Sequence, residues 1–75
     1  MLEFLNQNIR RAKGIKIPAR EIYERYLLYC SKKSIHPLTI RQFNKQLTKV
    51  YGLEKSRGIG NVVVFKDVYL LKCRY

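Results

Sequence analysis

The segment of residues 38–57, LTIRQFNKQLTKVYGLEKSR, most constrains what this chain can fold into, since it reads as a helix, a glycine stop and a strand start. Thr39 is a suitable N-cap because its hydroxyl can accept a free amide of the first turn, and Gly52 is a suitable C-terminal stop. No acidic residue lies between Glu24 and Glu54, so the polar surface of the predicted helix 39–51 offers only amide, hydroxyl and cationic groups. Its predicted apolar face consists of Ile40, Phe43, Leu47, Val50 and Tyr51.

The size and charge of the chain narrow the class of protein. Its 75 residues allow one small domain, residues 1–75, and no second core. Sixteen basic residues against five acidic ones give a formal net charge of +11, which makes nucleic acid or an anionic membrane the expected partner. No apolar run approaches the roughly 18 residues that span a bilayer. We therefore expect DNA as the partner rather than a membrane.

Two helices are predicted before residue 38. Residues 2–12 predict a short helix, and residues 15–18 predict an extended connector that ends at a proline. Residues 19–33 give the clearest helical pattern, with Glu21 and Arg25 as a favourable i,i+4 pair. We interpret the tyrosines as core residues rather than as platforms for stacking bases. The expected inward-facing residues are Leu2, Leu5, Ile9 and Ala12, then Ala19, Ile22, Tyr23, Tyr26, Leu27 and Cys30, and then Ile35 and Leu38.

A β-hairpin is predicted over residues 53–66, because Gly58 and Gly60 mark a turn and β-branched and aromatic residues dominate residues 62–71. Asp67 interrupts the apolar alternation, which predicts a bulge or bend. Three helices followed by such a hairpin indicate an α+β fold, the winged helix-turn-helix.

The residues do not predict catalysis. The acids are scattered, and His36 has no nucleophile or orienting partner near it in sequence. The glycines at residues 58–60 lack the GK[ST] of a phosphate loop. Cys30 and Cys73 have no CxxC neighbour, so we expect reduced thiols of an intracellular protein, with no metal site and no cofactor. A binding module is therefore expected rather than an enzyme.

Several motifs relate this outline to a family. The segments IYERYLLYC, IHPLTIRQFNKQL and YGLEKSRGIG resemble the RFX-type winged-helix DNA-binding domain, and FLNQNIRRAKGIKIP matches its first helix and connector in position. The resemblance covers about residues 4–71. The same tyrosine-rich and Phe-containing helices are also similar to the winged helix that closes primase-helicases of the poxvirus, phage and plasmid type. Either resemblance implies a small DNA-binding or DNA-docking module.

The resemblance assigns Phe43 to the core, Lys45 and Lys49 to the exposed face of the third helix, and Arg57 to the wing. RFX-type wings carry further basic residues after the turn, which insert into the major groove, whereas this chain has NVVV at residues 61–64. We therefore expect the third helix to read duplex DNA and the wing to clamp the backbone. The predicted DNA-binding residues are Arg41, Lys45 and Lys49 on phosphates or guanine, Gln42, Asn44 and Gln46 on adenine, and Lys55 and Arg57 on the adjacent backbone.

Two functions remain open from the sequence. The first is duplex DNA binding in transcription or in viral or plasmid replication, in the nucleus or in the host cytoplasm. The second is a docking or oligomerisation module of a primase-helicase or another nucleic-acid machine, with a homo-oligomer or the parent replication protein as partner. In the second case the VVVF strand, with Tyr69 and Tyr75 exposed, would pair with the edge of a partner. Salt separates the two, since phosphate contacts weaken steeply as salt rises and apolar docking does not.

Overall fold

A computed structural model describes residues 2–58, 60, 62–73 and 75 of the chain, apart from the side chain of Leu2. Over these residues the elements follow the order helix, strand, helix, helix, strand, strand. This is the α+β winged-helix arrangement, which confirms the predicted fold class. The elements are α1 (Leu2–Asn8), β1 (Ile9–Pro18), α2 (Ala19–Lys33), α3 (Ile40–Lys49), β2 (Lys55–Arg57) and β3 (Val63–Leu70). None of the described helices is long and apolar enough to cross a membrane.

Residues 9–18 form a strand, and this corrects the predicted first helix. The helix ends at Asn8 instead of residue 12, and the predicted connector is the second half of β1. Ile9 lies opposite Leu70 and Ile17 lies opposite Phe65 in antiparallel pairing with β3. The strand therefore depends on a partner that is distant in sequence.

The sheet has the strand order β1-β3-β2, so β3 is central. Val64 pairs with Pro18 on one side and with Ser56 on the other. The prediction that the VVVF strand offers a free edge is therefore wrong, because both of its neighbours are already in place. The edges of the described sheet are β1 and β2, and Tyr69 and Tyr75 are half-buried rather than exposed.

The predicted bend at Asp67 is confirmed. The register of β1 against β3 shifts between Arg11 and Lys16, and residues 12–15, the β1 arch, bulge opposite Asp67. Asp67 has a φ of 58°, and its Oδ1 accepts a hydrogen bond of 2.9 Å from the Gly14 amide. Gly14 itself has a φ of 87°, a conformation that favours glycine.

Helix α2 has the predicted bounds but a partly different inner face. Leu27, predicted to face inward, is 37% exposed, and Tyr29 is 4% exposed in its place. The surface ion pair joins Arg20 to Glu24 at 3.2 Å instead of Glu21 to Arg25. Arg25 instead donates to the Leu71 carbonyl at 2.8 Å. Ile35 is 46% exposed, so the predicted inward turn of that residue is also wrong.

The core joins every element except β2. Phe43 and Tyr26 stack with their ring centroids 4.5 Å apart, and Phe4 packs on both rings. The prediction that Phe43 and Tyr26 are core residues is confirmed, while Tyr23 is half-buried and donates its hydroxyl to the Leu38 carbonyl. The buried apolar residues are Phe4, Leu5, Ile9, Ala19, Ile22, Tyr26, Tyr29, Cys30, Phe43, Leu47, Leu53, Phe65 and Val68.

Candidate nucleic-acid interface

Helix α3 begins with a capping box. The Thr39 hydroxyl accepts the Gln42 amide at 3.3 Å, and Gln42 Oε1 accepts the Thr39 amide at 3.2 Å. The predicted N-cap is confirmed, and the reciprocal bond from Gln42 was missed. Its signal was visible in the sequence as Thr followed by Gln three residues later.

Helix α3 ends earlier than predicted, at Lys49 rather than residue 51. Gly52 follows with a φ of 69°, which confirms its part in the stop, and the Leu53 amide donates to the Leu47 carbonyl at 3.1 Å. Ile40 and Val50, predicted to face inward, are 44% and 71% exposed. The apolar face of α3 is therefore narrower than its sequence pattern suggested.

Opposite that apolar face, α3 presents a cationic stripe, defined as Arg41, Lys45 and Lys49. These residues are four positions apart and exposed, so they lie on one side of the helix. Within the described residues, no carboxylate lies within 4.0 Å of any of the three side chains. The stripe therefore carries three charges that the described residues leave without an ion-pair partner.

Two grooves flank the stripe. The α3–β2 groove has a volume of about 460 Å³, and the second groove has a volume of about 280 Å³. Lys45 and Lys49 border both, so each groove has cationic groups along one wall. The α3–β2 groove is lined by Ile40, Arg41, Asn44, Lys45, Thr48, Lys49 and Lys55, and the second by Leu38, Gln42, Lys45, Gln46 and Lys49.

The wing brings its two cations to the same side of the molecule as α3. Lys55 pairs with the buried Phe65, and Arg57 pairs with Val63, so both point to the core-facing side of the sheet. Lys55 lines the α3–β2 groove, whereas Arg57 does not. The Gly58 amide donates to the Val62 carbonyl at 2.7 Å and closes the hairpin. Asn61, which entered the prediction of a weakly basic wing, lies outside the described residues, as does Ile59.

The three amides predicted to read adenine lie in different environments. Gln42 Oε1 is engaged in the capping box. Asn44 Oδ1 is buried and has no hydrogen-bond partner among the described residues. Gln46 is exposed, and its side chain makes no hydrogen bond within the described part of the chain. A bidentate contact with adenine needs the oxygen and the NH₂ together, and of the three amides only Gln46 has both groups exposed and without a hydrogen bond among the described residues.

Sequence reasoning also missed a contribution from β1. Arg11 donates from Nη2 to the Tyr51 carbonyl at 2.7 Å, and the Tyr51 hydroxyl donates to Asn6 Oδ1 at 3.2 Å. These bonds fix the segment after α3 against α1 and the first half of β1. No local sequence pattern predicts these bonds, because they join residues that are far apart in the sequence.

The potential metal ligands among the described residues are dispersed. No three His, Cys, Asp or Glu side chains in the described chain come close enough to hold a metal ion. Both cysteines have free thiols, with Cys30 buried and Cys73 exposed.

A helix-turn-helix with a glycine-turned wing and an unneutralised cationic stripe on its third helix defines the winged-helix class of DNA-binding domain. The chain belongs to the RFX DNA-binding domain family, which matches residues 1–69. The family match, with this fold, makes the chain a DNA-binding winged-helix module.

The chain is similar to part of two longer proteins. The chain is 27% identical over 59 residues to "DNA-binding protein RFX2" of Rattus norvegicus, covering 79% of this chain and 8% of that protein. The same identity over the same length relates it to "MHC class II regulatory factor RFX1" of Homo sapiens, where it covers 79% of this chain and 6% of that protein. The chain therefore corresponds to a small part of the curated relatives that it matches.

Proposed function

We propose that this domain binds duplex DNA through the outward face of α3, with the wing holding the adjacent backbone. The observation that supports this is the position of Lys45 and Lys49 between two open grooves, with no carboxylate within 4.0 Å among the described residues. Phosphate oxygens supply the charge that this stripe lacks, and helix-turn-helix domains place such a helix in the major groove.

Base reading falls to Arg41 and Gln46 in this proposal. Arg41 lines the α3–β2 groove and can contact guanine through two donors, while Gln46 lines the second groove and can contact adenine. Gln42 keeps its oxygen in the capping box, so its NH₂ group can contact a phosphate but the side chain cannot make the bidentate contact that reads adenine. Asn44 takes part only after its side chain turns outward, because its oxygen is buried.

The wing acts as a backbone clamp. Lys55 and Arg57 are the basic residues of hairpin residues 53–65, and both are exposed on the side that faces α3. The family resemblance implies a wing that reads the major groove. Lys55 and Arg57 can both contact phosphates. Of the two, Arg57 is the one whose side chain could read a base through two donors, which is too little for a wing that reads the major groove.

The biological setting follows the relatives. Because two of them are named a DNA-binding protein and a regulatory factor, we place this domain in transcriptional regulation in the nucleus. A place in a viral or plasmid replication protein, or in a homo-oligomer, rests on the motif resemblance to primase-helicases. In that setting the domain would use the same DNA-binding surface, but it would belong to a different kind of protein.

A binding titration tests the proposal. Fluorescence anisotropy should follow a labelled duplex, the matching single strand and a scrambled duplex at 50 and 200 mM salt. Four phosphate contacts, two from Lys45 and Lys49 on α3 and two from the wing, predict a log–log salt slope of about −3.6, or a loss of about 150-fold in affinity over that range. An affinity for duplex that does not change with salt would refute the proposal and favour a docking module.

A further inference from the structure

The face of the sheet that points away from the helices carries its own cations. Lys16 on β1 and Lys66 on β3 are direct cross-strand partners. Directly opposite residues of an antiparallel pair point to the same face, at about 4.5–5.5 Å between their Cβ atoms. Their neighbours Ile17 and Phe65 pack into the core, so the two lysines point outward.

The burial pattern of β3 supports this assignment. Phe65 and Val68 are fully buried. Lys66, which follows Phe65, and Tyr69, which follows Val68, are half-exposed. Lys13 is also exposed, and it lies on the β1 arch, which interrupts the pairing of β1 with β3 next to Lys16 and Lys66. Lys13, Lys16 and Lys66 are called the outer cationic face.

Two acids lie near this face, and neither forms an ion pair with its lysines. Asp67 Oδ1 accepts the Gly14 amide, and the Glu54 carbonyl accepts the Lys66 amide on the β2 side. Among the described residues, no carboxylate lies within 4.0 Å of Lys16 or Lys66. A like-charged pair directly opposite across two strands destabilises the sheet, and a bound polyanion would remove that repulsion.

We propose that the outer cationic face binds the phosphate backbone of a second DNA duplex, so that one domain can hold two duplexes together. The inference rests on the proposed function, because α3 holds the first duplex. The sheet separates the two surfaces, since Lys55 and Arg57 point to its core-facing side and Lys16 and Lys66 to the other.

The second contact is independent of base sequence. The groups on this face are lysine ammonium ions, which bind phosphate as point charges. Arg10, the guanidinium at its margin, donates to the carbonyls of Ile9 and Asn6 and so is already engaged with backbone. The chemistry on offer therefore suits phosphodiester oxygens and not base edges.

A bridging assay with Lys16→Glu tests the inference. Two duplexes, one with a donor dye and one with an acceptor dye, are mixed with the intact domain, and energy transfer reports their joint capture. The parent should bridge them at 0.1 M salt. Lys16→Glu should bind a single duplex as the parent does but need at least about eightfold more DNA for bridging, the effect of one lost phosphate contact. Lys32→Glu, the same charge change on exposed α2, is the matched control and should bridge normally.

A second readout separates this role from damage to the fold. In Lys16→Glu the introduced carboxylate would lie opposite Lys66, so an attractive cross-strand pair replaces a repulsive one, and the melting temperature should rise by about 2–6 °C. A variant that melts higher and bridges less supports the inference. Unchanged bridging by Lys16→Glu, or single-duplex binding by the parent at every DNA ratio, overturns it. Capture of anionic lipid vesicles through Lys16 without joint capture of two duplexes overturns it as well, because the face would then recognise a membrane.

The α3 proposal can fail separately. Lys45→Glu with Lys49→Glu should abolish tight single-duplex binding, and bridging with it. If that double variant still bridges while Lys16→Glu does not, the proposed α3 surface is wrong and the outer cationic face stands.

Discussion

Gln42 Oε1 accepts the backbone amide of Thr39 at 3.2 Å, and the Thr39 hydroxyl accepts the amide of Gln42 at 3.3 Å. This reciprocal pair fixes the first turn of α3 at the border of the second groove, which Gln42 lines together with Gln46. Two glutamines four residues apart therefore have different tasks. One stabilises the helix, and the other is available to a base.

Gln42→Ala and Gln46→Ala should separate these tasks. Loss of the cap partner at Gln42 should cost about 1 kcal/mol and lower the melting temperature by about 4–8 °C, with little change in the preferred DNA sequence. Gln46→Ala should melt like the parent and lose preference at one base pair, worth about 1–3 kcal/mol. Thermal melts and binding-site selection on random duplex measure both. A changed consensus for Gln42→Ala with an unchanged melt would reverse the assignment.

Phe43→Ala should destabilise the fold rather than act on DNA directly. The ring is fully buried and stacks on Tyr26 at 4.5 Å, so its removal should cost about 3–5 kcal/mol, a large part of a small domain's stability. Denaturant unfolding followed by circular dichroism is the measurement. A variant as stable as the parent that binds DNA poorly would show that Phe43 is a contact residue.

The wing cations should act on affinity and not on specificity. Lys55→Ala and Arg57→Ala should each weaken specific and random duplexes alike and flatten the log–log salt slope by about 0.9. Arg41→Ala should instead change the preferred sequence. Binding-site selection with Arg57→Ala is the decisive comparison, because an altered consensus would mean that the wing reads bases as the family resemblance implies.

Alkaline pH should destabilise the domain through Tyr29. Burial raises the pKa of the Tyr29 phenol above its ordinary value of 10.0, with Glu3 and Tyr75 adding to the effect. The folded state thus favours the neutral phenol, so this contribution to stability is complete below about pH 10 and is lost as the pH rises through the raised value. Melts at pH 8 and pH 10.5 should show a smaller loss for Tyr29→Phe than for the parent. Equal losses would contradict the assignment.

How much of the fold was visible in the sequence depended on whether an element is specified locally. The bounds of α2 and the cap of α3 follow from periodicity and from Thr39, and the hairpin follows from its glycines. The first helix was overextended because Leu2, Leu5, Ile9 and Ala12 keep helical spacing into β1. The partner that makes residues 9–18 a strand lies in β3, which no local window contains.

The candidate site shows the same division. The charges of the cationic stripe were predictable, because an acid-free amphipathic helix must place them opposite its core residues. The unequal states of Gln42, Asn44 and Gln46 were not predictable in full, since the burial of Asn44 Oδ1 depends on packing around α3. The pairing of Lys16 with Lys66 required the register of the sheet.

The most direct test of the account is charge reversal on α3. Lys45→Glu combined with Lys49→Glu is compared with Arg20→Glu combined with Lys32→Glu, the same charge change on exposed residues of α2. Duplex affinity is measured by anisotropy at fixed salt, and circular dichroism verifies that each variant is folded. We expect the α3 variant to lose tight duplex binding and the α2 variant to show only a modest loss. A folded α3 variant that binds duplex as tightly as the parent would contradict the claim that α3 is the DNA-binding surface.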